Sequence, residues 1–143
     1  RKDSLLAVVF ITDEDDCSSE ATAIDQSTIM DIMHPFAGMS GDMGCTDADG
    51  FDIDEQYVPV EHYVTFLDNL MGVRSHWVAA VVAGDRSCET AYGSAYTAHR
   101  LRRFVEASGD SAIFTSICDN DLTVALDQAL DKLQVACDDY ILY

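Results

Sequence analysis

Leu5 to Ile11, LLAVVFI, is an unbroken apolar run that stops abruptly at Thr12-Asp13-Glu14-Asp15-Asp16. No other feature of the sequence narrows the fold as much. The run is too short for an ordinary helix, and β-branched and aromatic side chains crowd it. It lacks the apolar–polar alternation of a strand that shows one face to water. Such a segment reads as a strand buried on both faces of a parallel sheet, with the acidic stretch leaving from its carboxyl end.

Two later runs have the same character. His76 to Ala83 (HWVAAVVA) ends at Gly84-Asp85, and Ala112 to Cys118 (AIFTSIC) ends at Asp119-Asn120-Asp121. Trp77 is assigned to the core. Between and after these runs the apolar spacing becomes helical. Val60, Tyr63, Val64, Leu67, Leu70 and Met71 share one face behind Pro59, with Gly72 as the stop. A second helix is expected around Ala95 to Ala107, with Leu101, Phe104 and Val105 inward and Gly109 as its cap. The last helix sets Leu122, Leu126, Ala129, Leu130, Leu133 and Cys137 on one stripe, with Asp119, Asn120 and Asp121 as sources of capping oxygens. Strand and helix in alternation predict the α/β class: a Rossmann-like parallel sheet, right-handed crossovers and helices on both faces.

Three strands are few for such a sheet, and Leu5–Ile11 would be left with an open edge despite its interior character. N-terminal strands outside this chain are therefore expected beside it. The abrupt start at Arg1-Lys2-Asp3-Ser4 reads as a cut inside a larger protein, or a processed chain. Residues 1–143 are expected to form one partial domain with an irregular acidic insertion at about 17–58. Within the insertion, Ile24, Thr28 and Ile32 hint at a helix, and residues 38–50 hold four of the eight glycines.

Charge limits the partners. Asp and Glu number 26 against 8 Lys and Arg, for a formal net charge of -18. Such a polyanion repels phosphate backbones and anionic headgroups, which argues against nucleic acid and membrane surfaces and in favour of cations. No apolar run is long enough for membrane insertion. The 5 cysteines, Cys17, Cys45, Cys88, Cys118 and Cys137, form no CxxC pair, so a zinc motif is absent. Their number favours an oxidising compartment, that is, secreted, cell-surface or periplasmic.

Ligands of parallel α/β sheets collect outside the carboxyl ends of the strands. There the consecutive carboxylates Asp13, Glu14, Asp15 and Asp16 repel one another, and magnesium or calcium would relieve that repulsion; a solvated, helix-capping acidic turn is the alternative. A second acidic stretch, with Asp47, Asp49, Asp52 and Asp54 around Gly50, resembles a calcium loop without the EF-hand spacing. His34, His62, His76 and His99 show no metal-ligand spacing; His62 and His99 read as surface or packing residues. Arg100, Arg102 and Arg103 are expected to pair with nearby carboxylates.

The stretch LLAVVFITDEDDCS resembles the strand-Thr-Asp segment of von Willebrand factor type A domains. More narrowly, it is similar to bacterial secreted proteins in which this strand ends in Thr-Asp-Glu-Asp-Asp-Cys-Ser. HWVAAVVAGD, Ser87-Cys88, Arg100-Leu101 with Phe104, and Ser116-Ile117-Cys118-Asp119 follow in the same order. The resemblance implies the C-terminal half of a type A domain. It also implies a metal-ion-dependent adhesion site in which Asp13 is the matching ligand. The Asp-x-Ser-x-Ser loop of that site is absent, and Glu14 stands where the family has Gly. On this picture Cys88 and Cys118 fall near one edge of the sheet while Cys17 and Cys45 bracket the insertion. Cys17–Cys45 and Cys88–Cys118 are the chosen pairs among many that the cysteines allow. Cys137 is left for a partner elsewhere.

The expected function is an extracellular or envelope binding and adhesion module acting through divalent-metal-dependent protein–protein interaction. Its partner would be another protein or the missing N-terminal half of the domain; an enzyme is not expected. One rival is a magnesium-dependent phosphatase resembling haloacid dehalogenases, with Asp13 as nucleophile, Asp15 as acid/base and Gly84-Asp85 at the metal. Neither Lys2 nor Lys132 sits where its phosphate-binding lysine should. The other rival is a metal-free structural domain of an envelope assembly.

Overall fold

The computed structural model describes residues 4–16, 57–91, 93–119 and 121–140. The expected helix at Ile24–Ile32, Cys17, Cys45 and the acidic stretch Asp47–Asp54 lie outside them. A mixed α/β architecture is present. Strands β1 (Leu6–Ile11), β2 (Trp77–Ala83) and β5 (Ala112–Ser116) form a parallel sheet in the order β1-β2-β5. Helix α1 (Val60–Met71) leads into β2, α2 (His99–Ser108) into β5, and α3 (Leu122–Asp139) follows β5. A short antiparallel hairpin of β3 (Cys88–Thr90) and β4 (Gly93–Ala95) rises beyond the carboxyl end of β2. The sequence reading missed this hairpin, because residues 88–95 carry little apolar alternation.

Strand β2 is the spine of the molecule. All of its residues are buried, as expected of a central parallel strand. Trp77, Ala79, Val81 and Ala83 face one way, into a core shared with Val60, Val64, Leu67 and Met71 of α1 and Leu101 and Phe104 of α2. Ala80 and Val82 face the other way, onto Ala125 and Ala129 of α3. The expected stripe on α3 holds in part: Leu122, Leu126 and Ala129 pack on this core, joined by Ala125. The small side chains of Ala125 and Ala129 let the helix approach the sheet, whereas Leu130 and Cys137 are exposed. α1 ends as anticipated at Gly72, whose positive φ (79°) favours glycine. The start of α3 is capped by Asp121, which accepts from Thr123 N–H at 3.0 Å.

Strand β1 stands where a sheet of three strands must leave it, at an open edge despite its interior character: among the described residues it pairs with β2 alone. Leu6 and Val8 pack on the α1–α2 core. On the opposite face α3 packs against β2 and β5. Val9 and Ile11 there are 47% and 58% exposed. The interior character of the run is real, and the structure covers only one of its faces.

Helix α2 begins without a capping side chain of its own, since Ala98 occupies the N-cap. The acceptor comes from far away in sequence. The Asp15 carboxylate takes the Arg100 N–H at 2.9 Å and the Leu101 N–H at 3.1 Å, the donors that an N-cap side chain would satisfy. Its negative charge also opposes the positive end of the helix dipole. At the other end of the core, Asp68 on α1 accepts from the Arg74 guanidinium and from Trp77 Nε1–H at 2.9 Å. The Arg74 hydrogen bond holds the Asp68 carboxyl below its usual pKa, and burial opposes that shift.

Two outcomes follow. Asp15→Ala leaves those helix N–H groups without their acceptor and should cost about 2–3 kcal/mol in urea denaturation, with Asp15→Asn recovering part of it. For Asp68, the folded pKa lies below the unfolded one, so its stabilisation is complete above the unfolded value of 3.8 and fades as pH falls through the folded value. The acid unfolding curve of Asp68→Asn should therefore converge with that of the parent chain only at the lowest pH.

Candidate functional site: the rim at the carboxyl ends of the strands

The segments leaving β1, β2 and β5 meet at one end of the sheet, and short backbone bonds tie them together. Thr12 N–H donates to Val82 O at 3.1 Å, Tyr96 N–H to Asp13 O at 2.8 Å, and Ala98 N–H to Gly84 O at 2.8 Å. Gly84 is required by close approach: a Cβ there would stand 2.0 Å from the Tyr96 carbonyl oxygen. On the far side of the rim the Cys88–Cys118 disulfide joins the start of the hairpin to the end of β5, with a Cα–Cα distance of 5.7 Å. This pair is the one chosen from the sequence. Ser116 Oγ–H donates to Asp85, which also pairs with Arg86, so the expected Gly84-Asp85 cluster is held by its neighbours.

The carboxylates Asp13 to Asp16 do not converge on one point. Asp15 and Asp16 turn inward. Asp16 pairs at 3.2 Å with the guanidinium of Arg100, whose residue is 0% exposed. That guanidinium also donates to Val58 O at 2.6 Å and lies 5.3 Å from the centre of the Tyr57 ring. Burial makes such a pairing obligatory, because an uncompensated charge there would be very costly. Arg100 thus pairs with a carboxylate as the sequence reading expected. Arg102 differs: it reaches the Asp85 carbonyl and lies over the Phe114 ring. His62 is exposed and His99 half-buried, as surface and packing residues would be.

Asp13 and Glu14 point outward and are exposed. The Thr12 hydroxyl accepts the Glu14 N–H at 3.1 Å, which sets the turn that splits the acidic stretch into an inner and an outer pair. Asp13 borders a shallow cleft of about 250 Å³ between the tip of β1 and the hairpin, lined also by Thr12, Thr90, Ser94 and Ile117. No group of three or more His, Cys, Asp or Glu side chains able to hold a metal occurs among the described residues. The donors at the cleft are one carboxylate and several hydroxyls. They suit a hard cation in type and fall short of it in charge.

A larger cleft of about 450 Å³ lies on the α1–α2 face of β1, where Phe10, Tyr63, Phe66 and Leu67 make an apolar wall beneath Asp15 and Arg100. Sequence reading did not find it, because Phe10 was counted within a buried run and Phe66 falls outside the expected inward face of the helix. No helix among the described residues is long and apolar enough to cross a membrane. Comparison with protein-family models, with curated proteins and with solved structures returns no match.

Reduction of the Cys88–Cys118 bond, which spans 30 residues, should lower stability by roughly 3–4 kcal/mol in the chain-entropy account. Thermal melts with and without a thiol reductant, alongside the Cys88→Ala/Cys118→Ala double variant, check this; the double variant should melt lower than the oxidised parent chain and lose the part of the reductant response that this bond carries.

Proposed function

We propose that the chain is a non-catalytic binding module of a secreted or cell-envelope protein. On this reading it engages a protein partner at the rim and open edge of its sheet, and a divalent cation strengthens the contact. The observation that carries the reading is the division of labour in the acidic stretch. Asp15 and Asp16 are occupied by α2, while Asp13 stands exposed at the mouth of the rim cleft. An exposed carboxylate with hydroxyls of Thr12 and Ser94 nearby is a partial ligand set for calcium or magnesium. Oxygen donors from the partner would complete it. This matches what the type A resemblance implies for Asp13, and a disulfide is compatible with an oxidising compartment.

The phosphatase reading is less well supported. Its acid/base, Asp15, already accepts N–H bonds from Asp16, Arg100 and Leu101. A proton shuttle needs a carboxyl group open to the substrate.

Calorimetric titration with calcium chloride and magnesium chloride tests the proposal. Binding of one cation should be weak, with a dissociation constant of about 1 mM, because the chain supplies only part of the shell. Asp13→Asn should abolish the heat and the accompanying rise in melting temperature, and Glu89→Gln on the exposed hairpin should change neither. Absence of both signals in the parent chain would leave the metal-free structural domain as the better reading.

A further inference from the structure

Arg100 grips the acidic turn twice. Its backbone N–H donates to the Asp15 carboxylate at 2.9 Å, and its guanidinium pairs with Asp16 at 3.2 Å. The same guanidinium nitrogen donates to Val58 O at 2.6 Å, just ahead of α1, and the residue is closed off from water. Backbone bonds hold the other end of the turn: Thr12 N–H meets Val82 O, and Tyr96 N–H meets Asp13 O. Asp13 and Glu14 are thus the exposed middle of a segment fixed on both sides.

Charge alone does not account for this arrangement. A buried positive charge beside an acidic rim opposes any cation that arrives there, and it cancels Asp16, which would otherwise add to the attraction. It is also costlier to bury than an apolar side chain of similar size. What the guanidinium supplies is geometry. One of its terminal nitrogens reaches acceptors on two segments of chain at once, with the donors set in a rigid plane.

We infer that Arg100 is a positioning residue for the Asp13 site. It fixes the Asp15–Asp16 end of the turn, so that the Asp13 carboxylate meets a cation in one orientation. This role deepens the cation-binding reading and rests on it. Its signature is a change of sign. Removing a positive charge beside a cation site tightens binding where charge alone matters. Here the removal weakens binding, because the turn must then be ordered as the cation arrives.

The test is a calcium chloride titration of the whole chain, labelled with nitrogen-15, read from the amide shifts of Asp13 and Glu14. Arg100→Gln should bind calcium about tenfold more weakly than the parent chain. Arg100→Met/Asp16→Asn should do the same; it keeps the net charge and leaves no buried charge unanswered, so it carries the test if Arg100→Gln does not fold. Asp68→Asn, at the opposite end of the core, should lower the melting temperature and leave calcium affinity within about twofold, which separates positioning from stability. In EDTA, exchange at the Tyr96 and Glu14 amides, which bond to Asp13 O and Thr12 Oγ, should be about tenfold faster in both Arg100 variants and unchanged in Asp68→Asn. Equal or tighter calcium binding by a folded Arg100 variant would overturn the inference and leave the cation reading standing, as would unaltered exchange at those amides. No calcium shifts in the parent chain would end the cation reading and the positioning role with it.

Discussion

The bond between the Asp15 carboxylate and the first turn of α2 holds this structure in register. It joins residues separated by 85 positions and seats a helix whose own N-cap is an alanine. With α2 seated, Leu101 and Phe104 reach the core over β2, and the Arg100 guanidinium is carried into a fully buried position where Asp16 must answer it. The same seat brings Tyr96 against Asp13 and Ala98 against Gly84, so the rim is built from the same few contacts. Each is a net gain of only about 1 kcal/mol. Their weight comes from coupling: the carboxylate, the helix terminus and the buried arginine are satisfied together or not at all.

Among the described residues the sheet is covered unevenly. Two of their helices pack on one face, and one packs on the central and last strands of the other. β1 therefore carries an interior sequence in an edge position. A protein normally blunts an exposed edge with charge, proline or a bulge. Between Leu6 and Ile11 there is none of these, and the charges begin only after the strand ends. The chain's net charge of -18 opposes the approach of a second copy to that edge.

Much of the fold was legible because burial on two faces and burial on one face leave different periods in a sequence. β2 and β5, the α1 face apart from Leu70, which is exposed, the Gly72 stop and the Asp121 cap were readable from residues close to one another in the chain. The Cys88–Cys118 pair was readable once the strand ends were placed. Two things were not. The spacing on α3 also put Leu130 and Cys137 on the inward stripe, whereas packing brought in Ala125 beside Ala129 and left those two exposed. The acidic stretch was read as a single cluster, because nothing local distinguishes a carboxylate that caps a distant helix from one that faces water. Only the partner, at Arg100 and Leu101, makes the distinction.

That distinction couples folding to binding within a single turn. Thr12 to Asp16 carries the inward pair that seats α2 and the exposed pair, of which Asp13 borders the rim cleft, and the Thr12 hydroxyl sets the turn between them. A ligand that grips Asp13 therefore pulls on a segment whose other half is anchored by buried hydrogen bonds. The Tyr96–Asp13 bond and the Cys88–Cys118 bridge limit how far the opposite wall of the cleft can move. On the proposed reading, little ordering is left to be done at this turn when a partner arrives, and low reorganisation would be the main contribution the chain makes to affinity. The carboxylates that look redundant in the sequence are what make the exposed one rigid.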